Sequence, residues 1–206
     1  MDEGYIKFNC NWTKAGPVPK KQVNELNVWR DRLYELGLIG AYSNGIGFGN
    51  ISIRFKDSTF IISGSATGTL ESLNENHYVL VNDYDLSRNS LNCRGPVRAS
   101  SESLSHAAVY ESSPETNAVI HVHNPGMWDN LINKVPTTSE NVPFGTPEMA
   151  DEIKRLFDET SVSALKILVM GGHREGIIFF GATLDEAGRI LLNYLPDPGR
   201  QRHVAI

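Results

Sequence analysis

The stretch "NISIRFKDSTFIISG", Asn50–Gly64, restricts the fold more than any other part of the chain. "ISIRF" alternates apolar and polar residues, the period of a half-buried strand, and "TFIISG" reads as a second strand. Only "KDS" separates them. A link that short joins antiparallel neighbours, because a parallel crossover takes about a dozen residues or more. "LKILVM" and "GIIFF" repeat the arrangement around "GGHRE", with two glycines to turn the backbone tightly. The expected core is therefore a mostly antiparallel sheet interleaved with helices.

The helices have their own signals. Val23, Leu26, Trp29, Leu33 and Leu36 recur at helical spacing between Lys20 and Ile39, with Gly37 and Gly40 as the stop. "SSESLSHAAVYESSP" predicts a helix with a hydroxyl N-cap at Ser100 or Ser101 and Pro114 just past its end. "GTPEMADEIKRLFDE" has Thr146 as N-cap and Pro147 at the first helical position. "TLDEAGRILLNYL" is an amphipathic helix capped by Thr183, and "GMWDNLIN" a short helix. "SLNEN" predicts one helical turn before the strand "HYVLV", and "NAVIHVH" is a further strand. "NDYDLSRNSLNCRG" reads as polar turn material. Residues 1–19 read as an arm or loop, the tail "PDPGRQRHVAI" as a loop, and 20–206 as one domain without internal repeats.

Composition excludes several functions. The 206 residues suffice for one large domain, and 40% hydrophobic with 21% charged residues is ordinary for a globular protein. A net charge of −5 argues against a broad nucleic-acid-binding face. No apolar run reaches the roughly 18 residues of a membrane span. "MDEGYIKFNCNWTK" starts acidic and lacks the apolar stretch of a signal peptide. A cytoplasmic protein is expected. Cys10 and Cys93, far apart in sequence and in polar surroundings, are then two free thiols, and the sequons at Asn11 and Asn50 have no glycosylation role.

The chemistry-bearing residues centre on "NAVIHVHNPG". In a strand, His121 and His123 point to one face, about 6–7 Å apart. They could share a metal ion or simply be hydrogen-bonded histidines at a sheet edge. His173 in "VMGGHREG" follows another apolar strand, as a third imidazole or as turn chemistry. Glu102 in "SSES" stands in the first turn of a helix, as a ligand, a general base or a mere cap. Glycines and hydroxyls at "GFGN", "ISGSATG" and "ASSE" suit an anionic phosphate. "GIGFGN" precedes a strand rather than linking strand to helix, which disfavours a dinucleotide-binding loop.

Taken in order, "GNISIRF", "FIISGS", "SSESLSHAAVY", "NAVIHVHNP", "FGTPEMADEI", "GGHREGIIFFG" and "TLDEAGRI" resemble the class II aldolase/adducin family, from about Asn24 to Leu195. The resemblance implies an α/β fold, a three-layer α/β/α domain around a central, predominantly antiparallel sheet. It implies His121, His123 and His173 as ligands of a divalent metal: Zn2+, with Mn2+, Co2+ or Fe2+ as alternatives. Glu102 would be the catalytic acid/base. Asn50, Ser63, Gly64, Ser100 and Ser101 would cradle a phosphate. The implied activity is a lyase, cleaving or forming a C–C bond in a small phosphorylated or anionic hydroxy-carbonyl compound through a metal-stabilised enediolate. A dehydratase or epimerase on the same site is the alternative, and an adducin-like binding scaffold without turnover is the alternative of another class. A small-molecule substrate, a sugar phosphate, and a homotetrameric assembly follow by the same resemblance, with neither nucleic acid nor membrane as partner.

The chain departs from the family after His123. The connection to "FGTPEM" is shorter than in the sugar-phosphate aldolases and lacks the tyrosine that serves there as proton donor at a neighbouring subunit's site. Tyr194, Tyr110, Arg174 and His203 are the residues that could replace it. The chain after Tyr194 is short as well, where family members often cover the substrate.

Overall fold

Strands β4 (Asn50–Lys56) and β5 (Thr59–Ser63) pair antiparallel, as the short link requires. The turn passes through Asp57 at a φ of 47°, in the left-handed region that aspartate tolerates better than most residues. The structure, a computed structural model, describes residues 5–195. Around this hairpin an eight-stranded sheet extends in the order β1-β7-β6-β5-β4-β8-β10-β9. Its other strands are β1 (Asn9–Lys14), β6 (Tyr78–Asp85), β7 (Ser90–Gly95), β8 (Ala118–His123), β9 (Ile167–Val169) and β10 (Gly176–Gly181). Every pairing is antiparallel except β1 with β7. Two very short strands, β2 (Gly40–Ala41) and β3 (Gly47–Phe48), form a separate hairpin.

Helices cover both faces, giving the expected three layers. One core packs Phe60, Ile62, Val79 and Val119 against Leu104 and Ala108 of α2 (Ser103–Ser112) and Ile153 of α4 (Pro147–Glu159). The other packs Ile51, Ile61, Ile120 and Val122 against Leu26 and Leu33 of α1 (Asn24–Glu35), Met127 of α3 (Pro125–Leu131) and Leu191 of α6 (Leu184–Asn193). Leu26, Leu33 and Leu191 are fully buried, so truncating any of them to alanine costs about 2–5 kcal/mol. Because strand side chains alternate, His121 and His123 share the α2–α4 face with Val119. All six residues of β8 are buried, which places two imidazoles under helix rather than in water.

The caps at Thr146 and Thr183 form as predicted. Each hydroxyl accepts a backbone N–H from the first turn, Met149 at 3.3 Å and Glu186 at 3.1 Å. Gly37 ends the first helical segment at a φ of 68°, a conformation that glycine adopts without a Cβ clash. That segment is a 3-10 turn at Lys20–Gln22 followed by α1, whereas Gly40 belongs to β2.

Several expectations are corrected. Asn82–Asp85 and Ser90–Gly95 are strand, not turn, and only residues 86–89 make the link. Asn9–Lys14 is an edge strand rather than arm or loop. Cys10 and Cys93 are free thiols but not far apart: their Sγ atoms lie 3.7 Å from each other on β1 and β7. Helix α2 begins at Ser103. The residue before it is Glu102, without a side-chain cap, and no Ser100 or Ser101 hydroxyl caps the helix. Helix α5 (Val162–Leu165) is an addition to the elements that the sequence predicts. The tail from Pro196, including His203, lies outside the described residues. Among the described residues no helix is long and apolar enough to cross a membrane.

Candidate metal centre and substrate cleft

Three strand ends and one helix start converge at a single buried point. His121 and His123 close β8, His173 sits in the β9–β10 connection, and Glu102 immediately precedes α2. All four side chains are nearly inaccessible, with exposures of 0%, 3%, 4% and 1% respectively. His173 reaches the point through Gly171 and Gly172. A Cβ on Gly172 would lie 1.9 Å from Val142 O, and one on Gly171 2.2 Å from Thr138 O. Close approach, rather than a left-handed turn, is what requires the two glycines.

One ligand nitrogen from each histidine lies within 4.8 Å of the others. Ring centroids are 4.9 Å apart for His121 and His123, 5.3 Å for His121 and His173, and 4.7 Å for His123 and His173. His121 Nδ1 is 3.3 Å from Ile177 O. A carbonyl only accepts, so Nδ1 carries the proton and Nε2 the lone pair. That Nε2 is 3.1 Å from His123 Nε2. Burial and, after it, the neighbouring imidazoles hold His121 well below the usual histidine pKa. Neutral imidazoles crowded together in a dry site are the form that binds a cation. The residues present therefore fit a divalent metal.

Glu102 completes the group. Its Oε1 is 3.7 Å from His173 Nδ1, and its Oε2 accepts the Ser105 hydroxyl at 2.7 Å. His173 stacks on Phe144 at 4.2 Å, and Lys7 Nζ lies 3.8 Å from the centre of that ring. Lys7 thus reaches the site's wall from ahead of β1.

A cleft adjoins this point. It is lined by Tyr5, the glycine-rich residues 45–49, Asn50, the 64–68 loop, and Ser100 with Ser101. Asn50 pairs with His121 across β4 and β8, which ties the cleft to the histidines. Asn50 Oδ1 is buried without a hydrogen-bond partner among the described residues, as expected of a group that meets a ligand. Ser100 and Ser101 directly precede Glu102. Of the five residues expected to cradle a phosphate, the structure brings Asn50, Gly64, Ser100 and Ser101 to the cleft. Ser63 is not in its lining; its hydroxyl accepts the Ile51 N–H at 3.2 Å and ties β5 to β4.

Ser65 and Thr67, from the "ISGSATG" stretch, line the cleft beside Gly64. Sequence reasoning missed two contributors, Arg30 and Tyr42. Buried Arg30 holds the loop of Ser65 and Thr67 by donating to Thr67 O at 3.1 Å and Glu71 O at 2.7 Å. Tyr42 lies 3.0 Å from His123 Nδ1, with no signal in the sequence beyond its place before a glycine-rich stretch. None of the described residues considered for the absent loop tyrosine enters the cleft lining. Tyr194 packs on Phe179 in the other core, and Tyr110 is buried against Ser52. Arg174 is exposed.

The fold recurs in solved aldolases. An L-fuculose 1-phosphate aldolase matches 85% of this chain and 82% of its own at 18% identity and a TM-score of 0.64. A sugar-phosphate aldolase from Thermotoga maritima covers 84% and 90% at 14% identity, TM-score 0.62. The L-fuculose-1-phosphate aldolase from Thermus thermophilus covers 82% and 83% at 21% identity, TM-score 0.54. No curated protein sequence matches. A family model, the class II aldolase and adducin N-terminal domain, matches residues 33–193. With most of the chain inside that match, the protein belongs to the class II aldolase and adducin family.

Proposed function

We propose that the protein is a metal-dependent lyase that cleaves or forms a C–C bond in a small phosphorylated hydroxy-carbonyl compound. The observation that carries this reading is the convergence of three buried imidazoles with a buried carboxylate beside a cleft rich in hydroxyl residues and glycines. His121, His123 and His173 would hold the cation, and Zn2+ suits three nitrogen donors. Bound there, a divalent metal supplies Lewis acidity toward the hydroxyl and carbonyl oxygens of the substrate and stabilises the negative charge that develops as the carbon–carbon bond breaks.

The chain's own groups do the rest. Glu102 Oε1, on the edge of the cluster, takes and returns the proton at the reacting carbon. Ser105 donates to the other oxygen and so fixes the carboxylate's orientation. Asn50, Gly64, Ser100 and Ser101 bind the anionic group, and that remote binding energy positions the reacting carbons. Burial excludes the water that would otherwise compete for protons. A homotetramer belongs to the same reading and is carried by the family resemblance.

The test is a panel of ketose phosphates with the Zn2+-loaded protein, watching for aldehyde and dihydroxyacetone phosphate. Their release supports the lyase. Loss of water to a diketone, or epimerisation without cleavage, replaces it with the neighbouring activity. A metal-loaded protein inert toward the whole panel contradicts the proposal and favours a binding scaffold.

A further inference from the structure

We propose that Tyr42 and Glu175 are positioning residues that hold the His123 imidazole as its Nδ1–H tautomer, with the Nε2 lone pair turned into the histidine cluster. The lone pairs turned toward each other and the consequence for metal affinity rest on the three-histidine reading above; the dependence of the His123 tautomer on Tyr42 does not.

The hydrogen bonds leave one assignment. Tyr42 Oη donates to Glu175 Oε2 at 2.9 Å and lies 3.0 Å from His123 Nδ1. A phenol has a single proton. With that proton on the carboxylate side, the contact to His123 runs from Nδ1–H to the phenol oxygen. The lone pair is then on Nε2, which faces the lone pair of His121 Nε2 at 3.1 Å, an arrangement that a cation shared between the two nitrogens satisfies. Ile177 O does for His121 what Tyr42 does for His123. One ligand is oriented by a carbonyl, the other by a tyrosine backed by a charge. The carboxylate makes the tyrosine a better acceptor, which raises the basicity of Nε2.

The surrounding structure fixes each member. Tyr42 N–H donates to Ile46 O at 2.9 Å and Tyr42 O accepts from Gly45 N–H at 2.8 Å, locking the residue into the tip of the β2–β3 hairpin. Its ring packs on Phe48 at 4.7 Å, and Phe48 lies 5.6 Å from the His123 ring. Glu175 has a φ of 73°, a left-handed conformation that a residue with a Cβ adopts at a cost. Its carbonyl accepts the Asn124 N–H at 3.1 Å, next to His123 in the chain. A strained residue whose backbone is tied beside His123 and whose side chain reaches the same histidine through Tyr42 has the form of a built support.

The test uses the full-length chain and the variants Tyr42→Phe, Glu175→Leu and Glu175→Gln. Nitrogen-15 NMR reads the His123 tautomer, and Co2+ titration followed by its visible bands reads affinity. Wild type should show Nδ1–H at His123, and Tyr42→Phe should lose that preference. Tyr42→Phe and Glu175→Leu should bind Co2+ about 10–100-fold more weakly with shifted bands. Glu175→Gln keeps an acceptor oxygen for Tyr42 but not the charge, and should fall between Glu175→Leu and wild type in both readouts. Unchanged tautomer together with affinities within about twofold of wild type would overturn the proposal. If wild type takes up no Co2+ while the tautomer still depends on Tyr42, the relay stands and the metal reading falls. Glu175 lies in a surface connection, so its variants keep the test open should Tyr42→Phe fold poorly.

Discussion

Glu102 Oε1 lies 3.7 Å from His173 Nδ1, with both side chains shielded from solvent. A carboxylate at this distance from a ligand-type imidazole can act on a substrate carbon without leaving the cluster. Glu102→Gln preserves shape and can still accept from Ser105, but it cannot take a proton. Turnover of a cleaved ketose phosphate should fall about 10²–10⁴-fold, with bound metal and melting temperature unchanged. Steady-state kinetics beside elemental analysis checks this; near-normal turnover removes Glu102 from the acid/base role.

Metal binding should appear as stability. A cation that binds only the folded chain stabilises it by about 2.7 kcal/mol at one hundred times its Kd. Added Zn2+ should therefore raise the melting temperature of chelator-treated wild type, and His121→Ala should abolish the shift. A shift that survives in His121→Ala would assign it to another site.

The pH dependence of stability should carry the mark of His106. This residue of α2 is fully buried, its Nδ1 2.7 Å from Ser52 Oγ, and burial holds its pKa down at about 3. A free histidine titrates near 6.5. Between these values the unfolded chain binds a proton that the folded chain refuses. The stabilisation is complete above about pH 6.5 and is lost progressively toward pH 3, on the order of 4–5 kcal/mol in all. Urea melts from pH 7 to pH 4 should show this loss, with a shallower slope in His106→Gln. Equal slopes would mean that His106 is protonated in the folded protein.

Arg30 should matter to the cleft, although it is not among the residues that line it. It is 1% exposed and donates to Thr67 O and Glu71 O. Desolvation lowers its pKa, offset in part by Tyr78, Asp31 and Tyr34, and the two carbonyls satisfy its N–H groups. Arg30→Met leaves both without the cation, at a cost of about 2–4 kcal/mol. Hydrogen exchange should rise in residues 64–73 and KM for a phosphorylated substrate should increase more than kcat falls. Unaltered exchange in the loop would show that the clamp is dispensable.

The sheet and the three histidines are legible in the sequence because their signals are local. Alternation in "ISIRF", the short "KDS" link and the HxH spacing on a strand each constrain structure within a few residues. The second half of the β6–β7 hairpin is not, because its outward face is polar. Asn92 donates to Asp83 at 3.0 Å across the strands and accepts from Asn11 at 3.0 Å, so residues that read as turn formers in sequence serve as cross-strand partners. Strand β1 hides in the same way: Cys10 and Trp12 are half-buried, while Asn9 and Asn11 are exposed. The expected Ser100–Ser101 cap is absent because Glu102, with a non-helical backbone, is the residue before α2. Nothing in the sequence links Tyr42 and Glu175 to each other or to His123. They are separated by 133 positions, and only the meeting of a hairpin tip with the β9–β10 connection brings them to His123.

The central claim is that His121, His123 and His173 hold one divalent cation. Anomalous diffraction at the zinc edge, from crystals of protein prepared with Zn2+, tests it most directly. The account predicts one peak per chain, about 2.0–2.1 Å from a nitrogen of each of the three imidazoles. Ordered histidines in hydrogen-bonding contact, with no anomalous peak between them, would contradict it.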